Sequence, residues 1–162
     1  MTVIPESPGA DLSIVVYKSE RKLEVYRNKE KIHTFRVGLG FQPVGDKEVS
    51  GDGKTPEGKF YVCVKNPNSR FYLSLGLNYP DTEDARRGLR QNIISDAEYQ
   101  MIMAANRKKG IPPWNTRLGG EIFIHGKGAS SDWTLGCVAL DDEEMKLLYE
   151  MTPVGTPVEI RK

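Results

Sequence analysis

Residues 13–38 read SIVVYKSERKLEVYRNKEKIHTFRVG, and three consecutive strands can be traced through them. Ser13 to Lys18 is an apolar, β-branched run. Leu23-Glu24-Val25-Tyr26-Arg27 alternates apolar and polar residues, the two-residue period of a half-buried strand. Asn28-Lys29-Glu30 makes a turn, and Ile32 to Gly38 forms the next strand. Together they predict an antiparallel meander. Upstream, Pro5 and Pro8-Gly9 interrupt regular structure, so residues 1–12 are read as a lead-in and 13–162 as one domain.

Downstream, Gly45 to Gly58 is rich in Gly, Asp and Pro and reads as a long loop. Lys59 to Val64 and Phe71 to Leu75 read as strands, and Asn78 to Asp84 reads as an exposed, turn-like stretch. Ser95-Asp96-Ala97-Glu98 has the form of a capping box opening a helix to about Lys108, which Gly110 and Pro112-Pro113 stop. Glu121 to Ile124 is a short strand with His125 at its end. Asp141 and Glu144 form a second capping-box pattern, for a helix through about Met151, and Val158 to Ile160 closes the chain as a strand. Many short strands with two short helices imply a mainly β or α+β domain, without the regular alternation of a parallel α/β fold.

Composition excludes several classes of function. A length of 162 residues suits a single core, and 38% hydrophobic with 28% charged residues is ordinary for a globular chain. A net charge of +1, with basic residues scattered, provides no field for nucleic acid. Arg86, Arg87 and Arg90 form the tightest basic cluster. No stretch approaches the roughly 20 apolar residues of a membrane span. Met1 to Asp11 has neither the basic nor the apolar region of a secretory signal. Of the two cysteines, Cys63 lies in the apolar run Tyr61-Val62-Cys63-Val64 and reads as a buried, inert thiol.

Cys137 has a different setting. Residues 124–140 read IHGKGASSDWTLGCVAL. A cysteine nucleophile needs a base near it, because a free thiol with a pKa of about 8.5 is only a few per cent thiolate at neutral pH. An imidazole can take that proton, and N–H groups of a tight Gly-containing turn can stabilise the resulting oxyanion. His125 ends a strand, the intervening loop is small and polar enough to fold back, and Gly136 lets backbone approach a substrate closely. A helix starting close to Cys137 would lower the thiol pKa further. By spacing alone, a core histidine with a buried cysteine remains an equal reading.

The segment resembles the active-site motif of the L,D-transpeptidase family, in which His-Gly precedes Ser/Thr-x-Gly-Cys; the matching residues are His125-Gly126 and Thr134-Leu135-Gly136-Cys137. Lys54 to Phe60 resembles the family's Thr-Pro-x-Gly-x-aromatic stretch. Leu23 to Tyr26, Val37 to Gly40 and Gly155 to Ile160 resemble its opening and closing strands. The resemblance implies a β-sandwich-like domain with attached helices and no cofactor or metal. It implies that Cys137 attacks an amide carbonyl of a peptidoglycan stem peptide, with His125 as base and then acid. The Gly126 carbonyl would orient the imidazole, and N–H groups around Leu135, Gly136 and Cys137 would form the oxyanion hole. Trp133, Thr134, Tyr72, Asn78 and Tyr79 would line the substrate cleft. The presumed substrate implies an extracytoplasmic location, in periplasm or cell wall. Many family members carry Arg two places after the cysteine, where Ala139 stands here. Arg86, Arg87 or Lys127 could supply that charge. The Asp132-Trp133-Thr134 lead-in resembles a subgroup that includes amidases, which cut links between peptidoglycan and attached proteins.

Other classes stay in view: a hydrolase with the same site, a non-catalytic wall-binding module, and a zinc site built from His33, His125, Cys63 and Cys137. The spacings of that last set fit no standard zinc motif, and His33 reads as a packed strand histidine.

Overall fold

The structure, a computed structural model, describes residues 11–162. Its strands are β1 (Leu12–Tyr17), β2 (Lys22–Arg27), β3 (Glu30–Arg36), β4 (Gly58–Ser69), β5 (Tyr72–Leu77), β6 (Phe123–His125), β7 (Val138–Ala139) and β8 (Pro157–Arg161). Its helices are α1 (Thr82–Arg90), α2 (Asp96–Arg107) and α3 (Asp142–Met151). The lead-in assigned to residues 1–12 lies almost wholly outside the described residues, and Leu12 already belongs to β1.

The strands form one mixed sheet in the order β3-β2-β1-β8-β4-β5-β6-β7. The expected meander is present, with β1–β2 and β2–β3 both antiparallel. The final strand lies parallel to β1 and antiparallel to β4, so the two ends of the domain meet at the middle of the sheet. The sheet curls back on itself: Gly38, just past β3, exchanges 2.9 Å backbone hydrogen bonds with Ala139 of β7 at the opposite edge. This curl puts Ile14, Leu23 and Val25 from one half of the sheet in the same core as Leu75, Leu77 and Ile124 from the other. Each such fully buried aliphatic side chain contributes about 1.5–3 kcal/mol. Met145 and Leu148 of α3 complete this core, while α1 and α2 enclose a smaller one around Ala85, Ile94, Ile102 and Leu118.

Three departures from the sequence reading matter for the site. First, Asn78 and Tyr79 are buried rather than exposed, and Thr82–Arg90 is a helix. That helix opens with an all-aspartate capping box: Asp84 N–H donates to Asp81 at 2.9 Å, and Asp81 N–H donates to Asp84 at 3.0 Å. Asp in place of the usual Glu or Gln at the third position hides the signature. Second, β4 does not stop at Val64. It runs on to Ser69 through the polar residues Lys65-Asn66-Pro67-Asn68, held by its ladder with β5 and by Lys65, which donates to the Tyr149 carbonyl at 2.7 Å. Third, Asp141 precedes α3 but makes no side-chain cap; its carboxylate accepts the Ala129 N–H at 2.9 Å instead. Asp142 likewise accepts the Lys127 N–H at 2.8 Å, so two carboxylates hold the loop after His125.

Candidate active site

β6 ends at His125, and Cys137 immediately precedes β7, the strand paired parallel to β6. Strand pairing therefore returns the chain from His125 to Cys137, and both line a cavity of about 440 Å³. That is within the roughly 300–1,000 Å³ typical of small-molecule sites.

His125 is buried, and its Nδ1 lies 2.8 Å from the Gly126 carbonyl oxygen. A carbonyl can only accept, so Nδ1 carries the proton, and in the neutral ring Nε2 is the free base. Burial lowers the imidazole pKa below 6.5, partly offset by the Gly126 bond. Two aromatics pack on the ring: Phe71 stacks on it at 4.5 Å between centroids, and Trp133 meets it edge-on at 5.5 Å. Gly126 admits no side chain, since a Cβ there would lie 2.6 Å from Asp142 and 3.1 Å from the Phe71 carbonyl.

Cys137 is a free thiol. Its Sγ accepts the Phe123 N–H at 3.4 Å and donates to the Glu121 carbonyl at 3.5 Å. Burial pushes the thiol up to about 11, with the Glu121 charge adding to the effect. No hydrogen bond joins it to His125 among the described residues, and with burial raising the thiol and lowering the imidazole the resting pair is a neutral thiol and a neutral imidazole. α3 opens at Asp142, near Asp141 as the sequence indicates and not closer to Cys137, so the condition for helix-dipole assistance is not met. Cys63, also free, is buried in β4 with its thiol likewise at about 11.

Each residue of the Asp132-Trp133-Thr134 lead-in has a distinct structural task. Asp132 takes two hydrogen bonds from the Arg21 guanidinium, at 2.9 and 3.0 Å, and one from the Leu39 N–H at 3.1 Å. Trp133 donates its indole N–H to the Gly128 carbonyl at 2.9 Å. The Thr134 hydroxyl donates to the Cys137 carbonyl at 2.7 Å and accepts the Gly136 N–H at 3.1 Å. That N–H is therefore committed and is not a free oxyanion donor, a correction to the expectation for Gly136. Gly136 is required for another reason: at φ +143° a Cβ would lie 2.8 Å from the Lys54 carbonyl. The Lys54-Thr55 segment thus backs the cysteine turn, with Thr55 Oγ1 accepting the Gly40 N–H at 2.9 Å.

Trp133, Thr134 and Leu135 line the cavity with His125 and Cys137; Tyr72, Asn78 and Tyr79 do not. Asn78 instead accepts the Tyr61 N–H at 2.7 Å and donates to Asn106 at 2.7 Å. Tyr79 donates to the Leu118 carbonyl at 2.7 Å, deep in the core. Tyr72 packs beside Gly126, just past the turn of the β4–β5 hairpin. Neither Arg86, Arg87 nor Lys127 lines the cavity; Arg87 pairs with Asp84 at 3.0 Å. The guanidinium that does is Arg70, in the hairpin turn with Phe71. Polar residues at a hairpin tip carry no sequence signal for a site. His33 stacks on Phe35 in β3, and no three His, Cys, Asp or Glu side chains gather among the described residues, so the four zinc-ligand candidates do not converge.

Comparisons with known proteins bear on the family and the fold. No curated protein sequence matches the chain. Among solved structures, the helical cell shape determining protein Pgp2 from Campylobacter jejuni is 20% identical with a TM-score of 0.64, over 94% of this chain and 48% of that one. Bd1075 from Bdellovibrio bacteriovorus is 22% identical with a TM-score of 0.63, over 98% of this chain and 50% of that one. An L,D-transpeptidase from Mycobacterium smegmatis is 12% identical with a TM-score of 0.56, over 94% of this chain and 59% of that one. The chain thus spans about half the length of these structures, and at such identities the likeness is one of fold. The family model of the L,D-transpeptidase catalytic domain (YkuD) matches residues 11–160, nearly the whole chain, which therefore belongs to that enzymatic family.

Proposed function

We propose that this chain is a cysteine-dependent acyltransferase acting on peptidoglycan stem peptides, outside the cytoplasm where cell-wall substrates lie. The observation that supports it best is the shared cavity of Cys137 and His125, with the imidazole Nδ1 committed to the Gly126 carbonyl. That contact leaves Nε2 to take the thiol proton as sulfur attacks the amide carbonyl. Because the resting pair is neutral, proton transfer and attack proceed together once the substrate occupies the cavity. The N–H groups of Leu135 and Cys137 face the developing oxyanion. The imidazolium then protonates the leaving amine, which departs and leaves a thioester on Cys137. An incoming amine, deprotonated by Nε2, attacks the thioester and restores the thiol.

Hydrolysis uses the same steps with water as acceptor. Ala139, buried and outside the cavity lining, stands where many family members carry Arg; without that charge the site itself does not choose between amine and water, and hydrolysis is the second reading. Incubating defined tetrapeptide muropeptides with wild type and Cys137→Ala, with a free D-amino acid present, separates the readings by mass spectrometry. Exchanged or cross-linked products from wild type alone are the expected result. Shortened peptides alone would establish hydrolysis, with protein-linked peptidoglycan as the next substrate. Turnover by Cys137→Ala, or none by wild type on any of these substrates, would refute the proposal and favour a wall-binding module.

A further inference from the structure

The cavity carries one guanidinium and one carboxylate of its own, Arg70 and Glu121, and neither forms an ion pair with any described residue. Their positions differ. Arg70 lies over the Phe71 ring, 5.6 Å from its centroid, and Phe71 in turn stacks on His125. Arg70 therefore extends the imidazole side of the site. Glu121 belongs to the sulfur side, where its own carbonyl holds the Cys137 thiol. It occupies a left-handed backbone conformation, φ +56°, which is uncommon for a residue with a side chain.

Further donors sit beside Arg70 along the same wall. Asn66 accepts the Asn68 N–H at 2.9 Å, and Ser69 accepts the Phe71 N–H at 3.0 Å. Each uses its oxygen in that bond and keeps its amide or hydroxyl hydrogens free for a ligand. A guanidinium with amide and hydroxyl donors is a carboxylate-binding set, and its fork geometry favours two parallel hydrogen bonds. The Glu121 carboxylate disfavours an anion at the other end.

We infer that Arg70 is a specificity-determining residue that binds the terminal carboxylate of the residue released from the acyl donor. The direction comes from the chemistry. His125 protonates the leaving amine, so the leaving residue lies on the imidazole side. There Phe71 and then Arg70 come next. A leaving residue with a free carboxylate places that charge at Arg70; a peptide continuing past this point, or ending in a carboxamide, does not. This inference rests on the acyl-transfer reading above.

Binding measured in the Cys137→Ala background, where no turnover consumes the ligand, tests it. The probes are a stem tetrapeptide as the free acid and as its C-terminal carboxamide, titrated by calorimetry. With Arg70 intact, the acid binds about tenfold more tightly than the carboxamide, the order expected of hydrogen bonds to a charged group. Arg70→Gln removes that preference, and Arg70→Lys restores part of it, since a point charge replaces the fork. Arg70 is exposed in a hairpin turn, and an unchanged melting temperature for each variant excludes a folding defect. Equal affinity for acid and carboxamide with Arg70 present, or a preference that survives Arg70→Gln, would overturn the assignment while leaving the acyl-transfer reading intact. Absence of binding to both peptides would overturn both.

Discussion

Replacing Thr134 with valine keeps the shape of the side chain and deletes one oxygen, and the structure makes that oxygen a double tie. It donates to the Cys137 carbonyl at 2.7 Å and accepts the Gly136 N–H at 3.1 Å. Thr134 is buried, and its main chain is already engaged with Leu39 at 3.2 Å and Phe41 at 2.9 Å. Valine leaves a carbonyl and an N–H without partners. Each such orphaned group costs about 1–3 kcal/mol when water cannot reach it. Because the turn opens on the cavity, some hydration is available, and the lower part of that range applies. The expected destabilisation is about 2–4 kcal/mol. For a chain of this size that lowers the melting temperature by about 4–16 °C. The same ties fix the nucleophile, so turnover falls by about 10–100-fold from misplacement alone. Thr134→Ser keeps the oxygen and retains most of both properties. Denaturant unfolding of the three proteins measures the first effect, and the muropeptide assay measures the second. A valine variant within about 0.5 kcal/mol of wild type, and equally active, would refute the claim that this hydroxyl builds the cysteine turn.

Asp132→Asn weakens the Arg21 clamp and costs about 1 kcal/mol, the upper end for a half-exposed pair. Arg21 holds the Asp132 carboxyl below its ordinary value. Its stabilisation is therefore present above about pH 4 and is lost as pH falls through the lower folded value; acid unfolding curves for wild type and the Asp132→Asn variant should converge there. At Cys137, a thiol near 11 has about 300-fold less thiolate at pH 7 than one at 8.5, so alkylation of the substrate-free protein by a small neutral reagent is slower than that of a free thiol and climbs steadily in alkali. An alkylation midpoint below about pH 8 would contradict the neutral resting pair. Burial and the neighbouring Asp81 hold the Asp84 carboxyl up, at about 8. The native state then keeps a proton that the unfolded chain releases near pH 4, so stability declines as pH rises from about 4 to 8. Asp84→Asn should flatten that slope, and denaturation midpoints across this range check it.

Much of this protein is legible in local sequence. The alternation in residues 13–38 is enough to specify the β1–β2–β3 meander, because a strand with one buried face imposes a two-residue period. Ser95 and Glu98 announce α2, and their reciprocal hydrogen bonds are present at 3.1 and 2.9 Å. His125, Gly126, Gly136 and Cys137 stand out because their chemistry and backbone freedom are intrinsic to the residue types. Closure of the sheet is beyond local sequence. The pairing of Gly38 with Ala139 joins residues about a hundred positions apart, and the parallel β6–β7 pairing, also non-local, delivers Cys137 beside the strand carrying His125. Tertiary packing likewise buries Asn78 and Tyr79 away from the cavity and lifts the thiol pKa through desolvation. It also stacks Phe71, in the turn of a polar hairpin, on the imidazole, with Arg70 over the Phe71 ring. Local periodicity records which face of an element is wet; only long-range pairing decides which wet residues share one cavity.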